Sequence, residues 1–236
     1  MKLSVIIPCY NEKKTILKVV KILINLKIDL QIIVVDDFSS DGSSKIIKRY
    51  VEKKVDKVIY HKKNMGKGKC IIDAKKYCKG DYIIIQDADL EYNPLDYYKL
   101  LNCAKKGHSV VYGSRVLGTN RYLLKNFSSF SRIFFNHLLT VISNLLNNQE
   151  LTDAHTCYKL FRRDIFFKIK LEEYGFCFCP EITTKVGFTG VKIKEIPISY
   201  NGRTYEEGKK IKFIDGINAL LTLLKYRFLK SLNYKK

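Results

Sequence analysis

The sequence predicts an α/β protein built on a mostly parallel sheet flanked by helices, and three observations carry that prediction. Short continuous apolar runs recur through the first half of the chain, each stopped by a polar turn. Stretches with amphipathic helical spacing lie between them. No repeat and no low-complexity linker breaks the alternation. Strands covered on both faces read as unbroken apolar runs, and strand–helix alternation at these lengths means βαβ units.

The elements follow in order. Residues 3–7 form a first strand, ending at Pro8. Residues 15–26 form a helix with Ile16, Val19, Val20 and Leu23 on one face. Residues 32–35 form a second strand, ending at Asp36-Asp37. Ser39-Ser40-Asp41 then supplies an N-cap region for a helix over 43–51. A helix over 65–78 precedes a third strand at 82–85, which ends at Gln86-Asp87. The helix over 94–105 carries Pro94 in its first turn, where a missing N–H costs nothing. Residues 110–112 make a fourth strand, ending at Gly113. In the second half, Phe127, Phe130, Phe134, Leu138, Val141 and Leu145 repeat at helical spacing, predicting a helix over 126–146. Phe213, Ile217, Leu220, Leu221, Leu224 and Phe228 make a C-terminal amphipathic helix. The whole of 1–236 is expected to be one domain, with 1–118 and 119–236 as two subsites.

Composition narrows the function. Charged residues are 28% and hydrophobic ones 46%, which excludes global disorder and fibrous classes. The net charge of +20 calls for an anionic partner: nucleic acid, an anionic membrane surface or a phosphate-bearing substrate. No zinc-finger, RNP or helix-turn-helix signature is present, so a nucleic-acid binder is the weakest of the readings and no nucleic-acid partner is expected. Seven scattered cysteines without a CxxC pair read as reduced thiols of a cytosolic protein. The first apolar run stops too early for a signal peptide, and the runs at 133–146 and 213–229 are too short or too interrupted to span a bilayer.

The polar residues cluster at the carboxyl ends of the predicted strands, where open α/β sheets bind ligands. Asp87-Ala88-Asp89 sets two carboxylates at one such end. Hard oxygen ligands of this kind suit Mg²⁺ or Mn²⁺ aimed at a diphosphate; the bare pattern alone is more often a solvated turn, and the preceding strand is what favours the metal. Asp36-Asp37 can accept hydrogen bonds from a nucleotide base or cap the next helix. Asn64-Met65-Gly66-Lys67-Gly68-Lys69 opens a helix, and its backbone N–H groups and Lys67 can hold phosphate, although the spacing is not that of a P-loop.

Taken together, these residues resemble glycosyltransferase family 2, with its GT-A fold and Rossmann-like sheet. Pro8-Cys9-Tyr10-Asn11-Glu12 is similar to its P-x-Y-N-E opening, and 35–43 to its V-D-D-x-S-x-D-G-[ST] element. Asn64-Met65-Gly66-Lys67-Gly68, Asp87-Ala88-Asp89-Leu90-Glu91 and Gly113-Ser114-Arg115 match three further motifs in order. The second half resembles the polyprenyl-phosphate branch, which includes dolichol-phosphate mannose synthases: 152–163 matches its T-D-x-x-[TS]-[CG]-[YF]-[KR] stretch, and Pro180-Glu181-Ile182 a helix start. Arg203 before Gly208-Lys209-Lys210 resembles R-x-x-G-x-S-K with two extra residues before the glycine, so Lys209 and Lys210 are both candidates. Many relatives carry transmembrane helices after this point; here one amphipathic helix follows.

The resemblance implies that Pro8, Tyr10, Glu12, Val35 and Asp37 hold base and ribose, with Lys67, Asp87 and Ala88 on the donor. It places the Mg²⁺ or Mn²⁺ on Asp89 and Glu91, the latter standing where the branch often has Gln. Arg115, Arg203 and Lys209 or Lys210 bind phosphates. Asp89, Asp153 and Arg203 form the catalytic set. The implied activity is inverting transfer of a hexose from a nucleotide-diphosphate sugar to a polyprenyl phosphate. The alternative keeps the fold and takes a sugar or protein hydroxyl, with Asp153 as general base, in cell-surface polysaccharide synthesis. His137 and His155 read as packing or surface residues. Between 203 and 236, nine basic residues stand against three acidic ones beside the apolar stripe, the composition of a helix lying on an anionic bilayer. The expected location is peripheral, at the cytoplasmic face of the membrane.

Overall fold

The computed structural model describes residues 1–118, 130–203 and 213–229. Seven strands form one sheet: β1 (Leu3–Cys9), β2 (Leu30–Asp36), β3 (Lys57–Tyr60), β4 (Tyr82–Ile85), β5 (Val110–Ser114), β6 (Lys159–Arg162) and β7 (Lys194–Pro197). Their order is β3-β2-β1-β4-β6-β5-β7. Neighbours run parallel except β6, which is antiparallel to both β4 and β5. The chain winds outward from β1 through β2 to β3, then returns to place β4 on the other side of β1. That reversal opens a crevice at the carboxyl ends of β1 and β4.

The predicted strands are the ones whose residues are buried throughout: Leu3, Val5, Ile6 and Ile7 in β1, and Ile83, Ile84 and Ile85 in β4, are fully enclosed. Helix α1 (Ile16–Ile24) buries Ile16, Val19, Val20 and Leu23, the face its spacing predicts. Helix α2 (Ser43–Ile46) runs into a wider turn at Ile47–Val51. Its start departs from the expected cap. Gly42 takes the N-cap position at φ 98°, and the Asp41 carboxylate accepts from the Ser43 N–H at 2.9 Å. Helices α3 (Lys67–Lys75) and α4 (Tyr97–Lys105) follow as expected, α4 entered through a tight turn at Pro94–Asp96.

The second half adds α5 (Phe130–Asn147), α6 (Arg163–Lys168), α7 (Phe178–Phe188) and α8 (Phe213–Leu224), the last continuing as a wide turn, Lys225–Leu229. In α5 the burial is inverted. Phe134, Leu138, Val141 and Leu145 are 50, 44, 43 and 80% exposed, whereas Thr140, Ser143 and Asn147 are buried beside Ile133 and Leu139. The inner polar groups are bonded: Asn147 Nδ2 donates to Ser143 Oγ at 3.2 Å and to Thr184 Oγ1 at 3.3 Å. Helix α8 behaves alike, with Ile217, Leu221, Leu224 and Phe228 exposed and Ala219, Leu223 and Tyr226 buried. The two helices meet through Leu139, Ala219 and Leu223. Among the described residues no helix is long and apolar enough to cross a membrane, and all seven cysteines are free.

Candidate functional site

The loop after β1 is held by the loop after β2. Asn11, at φ 52°, accepts from the Ser40 N–H at 2.8 Å, and its own N–H donates to Ser39 Oγ at 3.0 Å. Asparagine tolerates this left-handed backbone better than most residues. Glu12 N–H donates to Ser43 Oγ at 2.8 Å, which leaves its carboxylate facing the crevice. Pro8 and Val35 sit in the strand ends, Val35 fully buried, and Tyr10 is 37% exposed at the rim.

The two adjacent aspartates do different work. Asp36 accepts from Ser44 Oγ and, at 3.3 Å, from the Ser39 N–H. Asp37 accepts from Met65 N–H at 2.8 Å, Gly66 N–H at 2.7 Å and Asn64 Nδ2 at 3.0 Å, and lies 2.7 Å from His61 Nδ1. The loop's N–H groups at 65 and 66 thus donate to Asp37, and Asp37 orders that loop beside the crevice. Gly66 and Gly68 are required by packing: a Cβ on either would stand 2.6 Å from Tyr174 O or 2.0 Å from Glu173 O. His61, Asp37 and Cys70 bring ligand-type atoms within 4.8 Å of one another. Both Asp37 oxygens are already taken by the loop's donors.

Beyond β4 the acidic motif is enclosed. Gln86 Oε1 accepts from Tyr97 and Tyr158 hydroxyls, each at 2.8 Å, and this buried hub fixes the strand end. Lys67 pairs with Asp87. Burial pushes the Asp87 carboxyl up, but the ammonium of Lys67 outweighs it and leaves the group below its ordinary range. Ala88 is buried. Arg203 lies among three carboxylates. It reaches Asp89 Oδ2 at 2.7 Å, Glu91 Oε1 at 3.0 Å, and Glu12 at 3.1 and 3.2 Å. Tyr200 donates to Glu91 Oε2 at 2.6 Å. Burial, then the neighbouring Asp87 and Glu91 charges, push the Asp89 carboxyl up to about 7, against the pull of Arg203. A group of carboxylates already holding one cation is a donor set suited to a hard divalent ion, so Asp89 and Glu91 fit Mg²⁺ or Mn²⁺.

Beyond β5, Arg115 grips Asp153 twice, Nε to Oδ2 at 2.7 Å and Nη2 to Oδ1 at 2.8 Å, while its N–H donates to the same carboxylate at 3.1 Å. Burial raises the Asp153 carboxyl, but Arg115 more than reverses this and holds it below the usual range. Glu195, on β7, accepts from the Thr152 and Asp153 N–H groups at 2.6 and 2.9 Å. Lys159 is fully buried and donates to Ala154 and Thr156 carbonyls, fixing the turn between. Burial, then Lys159, lowers His155 to about 4, so it is neutral near pH 7. A cavity of about 10 Å³, large enough for one water, lies between Asp153, Arg115 and the α5 residues Asn136 and Thr140. A wider hollow of about 630 Å³, lined by Arg162 and Arg163, sits by Tyr82 at the opposite end of β4.

The structure therefore brings Glu12, Asp89, Glu91 and Arg203 into one cluster, Lys67 and Asp87 into a pair, and Arg115 and Asp153 into another. Lys209 and Lys210 lie outside the described residues. Sequence reasoning missed His61, Gln86, Lys159, Glu195 and Tyr200. His61, Gln86, Glu195 and Tyr200 act through partners distant in sequence, whereas Lys159 fell within a recognised motif and bonds the turn just before it.

Comparison with known proteins identifies the family and the fold. Residues 4–169 match the model of glycosyl transferase family 2. The chain is 27% identical over 212 residues to a dolichol-phosphate mannosyltransferase of Pyrococcus furiosus, covering 89% of this chain and 59% of that protein. An uncharacterized protein of Methanocaldococcus jannaschii is 30% identical over 221 residues, covering 87% of this chain and 93% of its own length. A low-salt glycan biosynthesis hexosyltransferase of Haloferax volcanii is 29% identical, with 91% of this chain and 51% of that protein covered. The chain thus spans little more than half the length of two of these relatives. Glucosyl-3-phosphoglycerate synthase of Mycobacterium tuberculosis, solved with Mn²⁺, UDP and glucosyl-3-phosphoglycerate, superposes with a TM-score of 0.66 at 16% identity, covering 96% of this chain and 80% of that one. TarS of S. aureus with UDP-GlcNAc gives 0.57 at 18% identity, covering 99 and 69%. These two likenesses show the fold.

Proposed function

The chain belongs to glycosyl transferase family 2, and from that premise we propose that it moves a hexose from a nucleotide-diphosphate sugar to a polyprenyl phosphate, inverting the anomeric centre. The observation that carries this reading is the Asp153–Arg115 pair. A hydroxyl acceptor needs a base to take its proton. Asp153 is held by three donors of Arg115 and shifted below the ordinary carboxylate range, so it is a weak base. A phosphate monoester is already charged near pH 7 and needs none. Asp153 instead fixes Arg115, whose guanidinium lies 5.1 Å from the Tyr200 ring centre.

In this reading 1–236 works as one catalytic domain. Pro8, Tyr10 and Val35 border the base and ribose, and Asp37 serves them by ordering the 64–66 loop. Asp89 and Glu91 would hold Mg²⁺ or Mn²⁺, which supplies positive charge to the leaving diphosphate. Lys67 keeps Asp87 ionised and oriented toward the donor. An oxygen of the acceptor phosphate attacks the anomeric carbon from the face opposite the diphosphate. The bond from that carbon to the diphosphate oxygen breaks, and its electron pair leaves with the nucleotide. Arg115, Arg203 and Lys209 or Lys210 counter the phosphate charges.

The acceptor is presented at a membrane surface. The outward apolar faces of α5 and α8 lie against the bilayer, and the basic residues between 203 and 236 meet anionic headgroups. In this reading the surface is the cytoplasmic face of the membrane, whose anionic lipids attract basic segments. The direct test supplies labelled nucleotide hexoses with a polyprenyl phosphate and Mg²⁺ or Mn²⁺. Label passing into the organic phase is expected. Label appearing only on a water-soluble glycan would overturn the lipid acceptor and favour a hydroxyl one.

A further inference from the structure

We infer that Arg203 is an internal stand-in for the divalent cation, and that it sets how tightly the metal binds before donor arrives. The inference rests on the proposed metal dependence, and it concerns which oxygens are already taken. Asp89 has two: Oδ1 accepts from the Glu91 N–H at 3.0 Å and Oδ2 from Arg203 at 2.7 Å. Glu91 has two: Oε2 accepts from the Tyr200 hydroxyl at 2.6 Å and Oε1 from Arg203 at 3.0 Å. One ligand carries a backbone donor and the other a neutral hydroxyl, and both can stay in place beside a metal. The remaining oxygen of each accepts from the guanidinium of Arg203, and Glu91 Oε1 also accepts from the Arg203 backbone N–H at 3.2 Å. A cation held by Asp89 and Glu91 would compete with that guanidinium for the same oxygens.

Charge explains why the guanidinium rests there. Glu12, Asp89 and Glu91 are all less than a tenth exposed. Several like charges so enclosed are costly without a counter-ion, and Arg203 supplies one positive charge where a divalent ion supplies two. The planar fork of Arg203 spans all three carboxylates, which a Lys ammonium, a point charge, does not match. Once displaced, the same guanidinium becomes available to a phosphate. Metal entry and phosphate capture are thereby linked through one side chain, and linkage of this kind is reciprocal.

The experiment measures Mn²⁺ binding alone, by electron paramagnetic resonance on the protein without nucleotide. Arg203→Gln removes the competing cation and should tighten Mn²⁺ on the order of tenfold, within the usual range of coupling between sites. Arg203→Lys should fall between. A second readout needs no altered protein: the guanidinium Nε–H resonance of Arg203, followed by ¹⁵N NMR, should move as Mg²⁺ is titrated into the wild type. Equal or weaker Mn²⁺ binding in Arg203→Gln, or an Arg203 resonance unmoved by saturating Mg²⁺, overturns the inference and leaves the metal site standing. Absence of Mn²⁺ binding in both wild type and variant overturns the metal site and this inference with it.

Discussion

Helices α1 and α5 have apolar residues at the same spacing and point them in opposite directions. In α1, Ile16, Val19, Val20 and Leu23 are fully buried against the sheet. In α5, the stripe from Phe134 to Leu145 faces outward, and the face turned inward carries Thr140, Ser143 and Asn147. Helix α8 repeats the arrangement of α5. Periodicity tells that a helix has two faces; what lies next to it decides which face is covered. Helix α1 has the sheet as its neighbour. Helices α5 and α8 use Leu139, Ala219 and Leu223 to hold each other and bond their polar side to α7 through Asn147 and Thr184. Five large apolar side chains on α8 and its terminal turn, Ile214, Ile217, Leu221, Leu224 and Phe228, then remain outside. An exposed patch of that kind marks an interaction site.

The largest difference should be in stability. Leu23→Ala in α1 is expected to cost about 2–5 kcal/mol, as for other enclosed leucines. Leu145→Ala in α5, at a position 80% exposed, should stay within about 0.5 kcal/mol. Urea unfolding of the two variants measures both. Equal losses would break the comparison, because they would mean that Leu145 is covered in the folded protein.

The next effect should be on vesicle binding. Each large apolar side chain transferred into a bilayer interface is worth roughly 1.5–3 kcal/mol. Leu138→Glu with Leu221→Glu should therefore weaken co-sedimentation with anionic vesicles by about a hundredfold or more, by the same arithmetic. Raising salt should weaken the wild type as well, at about 1 kcal/mol per basic residue near the surface. Lys18→Glu and Lys21→Glu on the exposed side of α1 give the contrast, with much smaller loss. Binding that ignores both the substitutions and the salt would show that these faces serve another partner.

The same contrast governs what could be read from the chain. Strands β1, β2, β4 and β5 were legible because both faces are buried and their residues are mostly apolar, with Ser4, Gln31, Asp36 and Ser114 the polar exceptions. Strands β3 and β7 are half-exposed edges, and β6 opens with Lys159, a buried cation that no hydropathy pattern announces. Helix α7 was legible only as a motif start. It encloses Glu181 and Lys185, paired at 2.6 Å, on what would otherwise be its polar side. The site was legible in its residues and not in its pairings. Asp89, Glu91 and Arg203 were singled out, but that Glu12 joins them across 191 positions is a property of the β1–β4 crevice. His61 was missed because it follows β3, an unrecognised strand, and it sits between Asp37 at 2.7 Å and Asp73 at 3.2 Å, a placement that only the fold creates.

The smallest effect concerns the buried charge that the crevice tolerates, the counterpart of the apolar surface outside. Burial and the neighbouring carboxylates raise Asp89 to about 7. Between the ordinary carboxylate range and that value, the folded protein keeps a proton that the unfolded chain has lost. The metal-free fold should therefore lose stability as pH rises through this window, since stability falls wherever the folded state binds more protons. Metal binding has the opposite sign, because the ion takes the ionised carboxylate and must release the proton. Mn²⁺ affinity should climb about tenfold per pH unit below about 7, one proton being exchanged, and level off above it. Resonance titrations between pH 5.5 and 8.5 measure this. In Asp89→Asn the slope should vanish together with most of the affinity. A slope that survives the substitution would show that Asp89 is not the group whose proton the metal releases.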